Sequence, residues 1–143
     1  MHTTRIFRAA LLAVALSAPR LAHAQLFKVI AHPETKVEEA SAADLSKIFL
    51  KQKTAFADGT PAVPVDQAKV STVRGMFTRS VLGKSVSDVE GYWQQQIFSG
   101  KDQPPAQKPK DDDVIEFVKT TPGAIGYVGG GAATAGVKVI KVK

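Results

Sequence analysis

The chain of 143 residues contains no cysteine. That excludes disulfides, thiolate metal sites, a cysteine nucleophile and a lipid-modified N-terminal cysteine. Histidine is nearly as scarce: only His2, His23 and His32 occur. His32 precedes Pro33 and has no partner at a spacing that a metal or general-base site would need, so it reads as a surface or turn-capping residue. No G-x-S-x-G elbow, P-loop or H-E-x-x-H is present. These absences argue against an enzyme, and they predict no cofactor, catalytic residue or metal ligand.

Long apolar runs are also missing. The longest is residues 9–18, preceded by Arg5 and Arg8 and followed by Pro19, Arg20 and Ala22-His23-Ala24. A bilayer core needs about 20 apolar residues in a helix, so this run is too short to remain as an anchor. Positive start, short apolar stretch and small residues at the end match a cleavable signal peptide over residues 1–24. The expectation is a protein that is periplasmic or secreted, with no stable membrane insertion and one domain over residues 25–143.

Charge is modest once the leader is set aside. The leader holds Arg5, Arg8 and Arg20 and no acid, so Lys+Arg falls from 19 to 16 against 13 acids and the net charge from +6 to +3. A surplus this small, spread along the chain, speaks against nucleic acid and is compatible with small anions.

What is present is an alternation of strand-like and helix-like segments. Residues 27–31 are β-branched and aromatic and read as a strand, ended by His32-Pro33. Residues 41–50 read as a helix with Ser41 as N-cap, Asp44 in the first turn and Leu45, Ile48 and Phe49 on one face. A turn over residues 57–61 leads to a short strand, residues 62–66. Residues 71–82 place Val73, Phe77 and Val81 four apart, with Gly83 as the C′ residue. Ser87 and Glu90 form a capping box that opens the helix carrying Val89, Trp93, Ile97 and Phe98, closed by Gly100. Residues 101–110 are polar and proline-rich and read as a loop; Asp111, Asp112 and Asp113 begin a helix that Pro122-Gly123 stops. Strands follow at residues 124–128 and 137–142, joined through Gly129, Gly130 and Gly131. The fold class is α/β, a mixed sheet flanked by helices.

Few segments offer chemistry. Three consecutive aspartates at a helix start cannot converge on one cation, and the helix dipole accounts for them. The three glycines lack the spacing and the lysine of a phosphate cradle. One corner stands out: a strand ends at Asp66 and a helix begins at Ser71. The first amides of that helix, at Thr72, Val73 and Arg74, have no intrahelical acceptor and point to an oxyanion, with hydroxyls from Ser71 and Thr72 and charge from Lys69 and Arg74. The plain alternative is that Ser71 is an N-cap and nothing more.

Three stretches resemble the PstS-like phosphate-binding proteins of ABC transporters, of the type II periplasmic-binding-protein fold. They are residues 43–50 (Ala-Asp-Leu-Ser-Lys-Ile-Phe-Leu), Pro64-Val65-Asp66 running into residues 71–77, and residues 121–128 (Thr-Pro-Gly-Ala-Ile-Gly-Tyr-Val). Tyr92-Trp93 and residues 97–100 are similar to small one-lobe members. The resemblance implies a single lobe over residues 25–143, a phosphate-like ligand and an ABC transporter or another periplasmic protein as partner. This chain departs from the family at the ligand: Asp66-Gln67 stands where an arginine is expected, and Ser71-Thr72 lacks the glycine of the family's Ser-Gly-Thr. A second reading therefore stands beside the first, an adaptor lobe that has kept the fold and lost the ligand.

Overall fold

Residues 124–129 carry almost no polar side chain, and a strand of that kind belongs where both sheet faces are covered. The computed structural model describes residues 25–143; the expected signal peptide, residues 1–24, lies outside the described residues. In chain order the elements are β1 (Phe27–Ala31), β2 (Glu39–Ala40), α1 (Ala42–Phe49), β3 (Val63–Gln67), α2 (Thr72–Phe77), α3 (Val86–Phe98), β4 (Ala106–Lys108), α4 (Asp111–Thr120), β5 (Ala124–Gly129) and β6 (Lys138–Val142). They build one six-stranded mixed sheet in the order β2-β6-β1-β5-β3-β4. β1 runs antiparallel to β5 and β6, whereas β3 is parallel to β5 and β4, and β2 to β6.

Strand alternation divides the core between two faces. Val29, Ala31, Ile125, Tyr127 and Ile140 meet Leu45, Ile48 and Phe49 of α1, together with Phe77 and Val81. Ile30, Val65, Ala124 and Val128 on the other face meet Val114 and Val118 of α4. Burial of each large aliphatic or aromatic chain contributes at most about 1.5–3 kcal/mol, so α1 and α4 are held by these stripes more than by propensity. The expected mixed sheet with helices on its faces is what forms.

Local signals placed most element ends. The Ser41 hydroxyl accepts the Asp44 amide at 3.0 Å, and Gly83 sits at φ +64°, where a side chain would be strained. Four expectations shift. The helix expected over 71–82 is α2 followed by a π-helical turn, Thr78–Leu82, which widens the last turn while keeping Phe77 and Val81 in the core. The capping box uses Ser85 and Asp88, two residues before the expected Ser87 and Glu90. The stretch expected as loop over 101–110 contains β4, paired with β3. The two-residue β2 was not anticipated, being too short to show a period. His32 is buried at a turn where its Nδ1 accepts the Glu34 amide at 3.2 Å, a capping role.

Gly126 lies where β5 passes closest to its neighbours: a Cβ there would stand 2.7 Å from a Val65 methyl and 2.9 Å from a Val114 methyl. Gly126→Ala is expected to lower the unfolding free energy by about 1–3 kcal/mol through overpacking. Urea unfolding checks this; a change within experimental error would mean that β3 and α4 yield freely.

Candidate functional site

The end of β3 and the start of α2 form a corner at which three buried polar residues, Asp66, Gln67 and Arg74, gather. β3 carries Val65, Asp66 and Gln67, all buried. The chain then turns through Ala68, whose carbonyl accepts the Ser71 amide at 2.9 Å. Ser71 is extended (φ −67°, ψ 123°) and its hydroxyl accepts the Arg74 amide at 3.2 Å, capping α2, while donating to the Gln67 side-chain oxygen. Thr72 is exposed, and Val73 packs at the core margin. Their amides, in the first turn, have no intrahelical acceptor.

Arg74 does not face the solvent, as a residue offering free charge to an anion would. Its side chain is 1 % exposed. Nη1 donates to the Gln67 carbonyl at 3.1 Å, and Nη2 lies 3.3 Å from Asp66 Oδ2 and 2.8 Å from Glu90 Oε1. Glu90 comes from α3, and its second oxygen is 3.2 Å from Nζ of Lys69, which is 64 % exposed. Two cations and two carboxylates therefore meet at this point, with Glu90 bridging Lys69 and Arg74.

The network continues into the sheet. The Tyr127 hydroxyl, on β5, donates to Asp66 Oδ1, and the Gln67 amide donates to the same oxygen at 2.9 Å. The Tyr127 ring stacks on Phe77, centroids 3.9 Å apart, which ties the polar cluster to the core. The Gln67 side-chain amide donates to Asp111 Oδ1 at 2.8 Å and to the Tyr127 carbonyl at 3.0 Å; Asp111 Oδ2 accepts the Gly129 amide at 3.0 Å. Asp111 thus does more than meet the helix dipole.

Burial pushes the Asp66 carboxyl up, against the opposing pull of Arg74, the Tyr127 hydroxyl and the Gln67 amide. Burial, and then the Asp66 charge, raise the Tyr127 phenol well above its ordinary value, so it stays a donor. Burial also works against the charge of Glu90, but the hydrogen bonds from Lys69 and Arg74 outweigh it and hold the carboxyl below its usual range. The five residues expected to form the site, Lys69, Ser71, Thr72, Val73 and Arg74, lie together at this corner. The groups that sequence reasoning missed are Glu90, Tyr127 and the inward role of Asp66. Asp66 within an apolar strand and Arg74 beside the Val73–Phe77 stripe were the available signals, since a charge among core positions calls for a partner.

No cluster of metal-ligating side chains occurs among the described residues. Replacing Arg74 by methionine leaves Asp66 buried without its cation, and the expected cost is about 3–5 kcal/mol near neutral pH. Without Arg74 the folded pKa of Asp66 lies still further above its unfolded value. Stability is then lost as pH rises through that window and regained as pH falls, so the deficit of Arg74→Met is expected to narrow toward about pH 4. Urea unfolding at three pH values tests this, a deficit independent of pH being the contrary result.

No protein-family model and no curated protein sequence matches the chain. Solved structures do. A protein from Clostridium perfringens described as a phosphate ABC transporter substrate-binding protein, with bound phosphate, matches at TM-score 0.65 and 17 % identity over 81 % of this chain and 44 % of its own. PstS from Borrelia burgdorferi matches at TM-score 0.64 and 17 % identity, over 82 % of this chain and 47 % of its own. An ABC-type phosphate transport receptor from Vibrio cholerae matches at 0.63 and 16 %, over 81 % and 45 %. The chain spans less than half the length of each of these proteins. At such identities the likeness is one of fold: this chain is built like one part of the PstS-type phosphate-binding proteins.

Proposed function

We propose that this chain is an exported, substrate-binding-type module of an ABC uptake system, which holds a phosphate-like oxyanion at the β3–α2 corner and has its site completed by a second body. The contacts proposed are the Lys69 and Arg74 side chains, the Thr72 hydroxyl and the amides of Thr72 and Val73; the Ser71 hydroxyl, whose proton goes to Gln67, serves by capping α2. The observation that carries the reading is the seat of Glu90. One carboxylate there reaches Lys69 and Arg74 at once, at 3.2 and 2.8 Å, so the corner already suits a small oxyanion in charge and spacing. The fold likeness to proteins whose names specify phosphate supports it from outside the chain. Export rests on the leader pattern of residues 1–24.

A site on one lobe is half solvated, and solvated charge pairs contribute little each. The expected affinity is therefore weak, on the order of 1 mM. At that affinity 10 mM phosphate stabilises the fold by about 1.4 kcal/mol, several degrees in Tm, relative to chloride of equal ionic strength. Lys69→Gln removes an exposed cation and should halve the response or more with little effect on Tm in chloride. The second reading, an adaptor lobe, is favoured by the charge balance at the corner, where Asp66 and Glu90 already neutralise both cations. Thermal unfolding that is the same in phosphate, sulfate and chloride would select the adaptor.

A further inference from the structure

Outside the Lys69–Glu90 pair the surface opens into a depression of about 500 Å³, lined by Lys69, Val86, Ser87, Glu90, Gly91 and Gln94. Lys69, the Ser87 hydroxyl and the Gln94 amide are donors on its wall. Glu90 stands between this open space and the buried Arg74, with its side chain 23 % exposed. Gly91 is in the middle of α3, where glycine costs a helix about 0.5–1 kcal/mol relative to alanine. Packing does not demand it: a Cβ at Gly91 would meet nothing within 4 Å and would project into open space.

The Arg74 guanidinium beneath Glu90 is incompletely paired. Its Nε is buried and has no hydrogen-bond partner among the described residues. Nε–H and one N–H of Nη2 lie on the same edge of a guanidinium and suit a bidentate oxyanion. Asp66 and Glu90 both crowd onto Nη2 and leave the neighbouring donor unmet, so the internal carboxylates fill this edge incompletely.

We propose that Glu90 is an internal competitor for the oxyanion, a carboxylate that occupies the position between Lys69 and Arg74 and must be displaced from it by an anion entering through the depression. This rests on the oxyanion reading above and adds what sets its affinity. An incoming phosphate exchanges places with Glu90, which swings into solvent, and takes over contact with Lys69 and with the Nη2–Nε edge of Arg74. Asp66 remains as the fixed counter-ion, so Arg74 never stands uncompensated. α3 can tolerate the exchange because it is anchored elsewhere, by Val89 and Trp93 against Leu50 and by the Tyr92 hydroxyl on the Leu50 carbonyl at 2.9 Å.

Titration of the whole protein with sodium phosphate, against sodium chloride at matched ionic strength, tests this by NMR chemical shifts and thermal unfolding. Glu90→Gln keeps the shape and an acceptor for Arg74 but removes the competing charge; it is expected to bind phosphate at least tenfold more tightly than the wild type. Gly91→Leu added to Glu90→Gln puts an apolar side chain into the depression from a position where the Cβ has open space, and is expected to return the response to the chloride baseline. Wild type and Glu90→Gln binding phosphate equally would overturn the competitor role and leave the oxyanion reading standing. Binding by neither overturns both. Phosphate binding that survives Gly91→Leu would overturn the depression as the entry.

Discussion

A guanidinium withdrawn from water has to find its counter-charges inside the protein, and Arg74 organises the surrounding structure around that need. With its side chain 1 % exposed, it cannot rely on solvent screening. Asp66 must sit at the end of β3, α3 must bring Glu90 across, and the backbone must leave the Gln67 carbonyl free. Asp66 in turn requires the Tyr127 hydroxyl, and Gln67 requires Asp111. One buried charge thereby couples β3, β5, α2, α3 and α4. A lysine could not replace it, because the planar fork reaches two carboxylates and a carbonyl at once. Replacing a whole buried ion pair by apolar residues is often neutral for stability, whereas removing one partner is costly, so the members of this network stand or fall together.

The same balance of charge bears on the two functional readings. A site whose cations are already paired does not attract anions over distance, so any ligand has to win by contact. Contact is where a tetrahedral oxyanion differs from a carboxylate, having more oxygens for the amides and the unmet Nε. The incomplete filling of the Arg74 edge leaves one such donor open to the proposed ligand.

Legibility in the sequence followed the range of the interaction. Ser41, Ser71 and Gly83 were readable because caps are decided within three or four residues. The faces of α1 and α4 were readable because apolar spacing is local too. Ser85-x-x-Asp88 and Ser87-x-x-Glu90 are overlapping boxes of the same form, and only the distant claim of Lys69 and Arg74 on Glu90 breaks the tie. β4 was hidden because Gln107 and Lys108, flanked by prolines, carry no strand-like pattern; its pairing comes entirely from β3. The residues gathered at the corner were foreseen in position. What they touch was not, since Arg74 meets groups 7, 8 and 16 positions away that no local period connects.

The sheet's borders carry one more consequence. β2 has two residues and β4 three, and β4 lies between Pro104-Pro105 and Pro109. Proline withholds the amide that an incoming strand would need, and stubs this short give no template for one. A foreign chain therefore finds little template at the β4 border, whereas at the other border β2 covers only Lys141 and Val142 of β6. Recognition at the β4 border falls to side chains on the helices and loops beside it, which ties it there to surface chemistry and keeps it apart from strand capture.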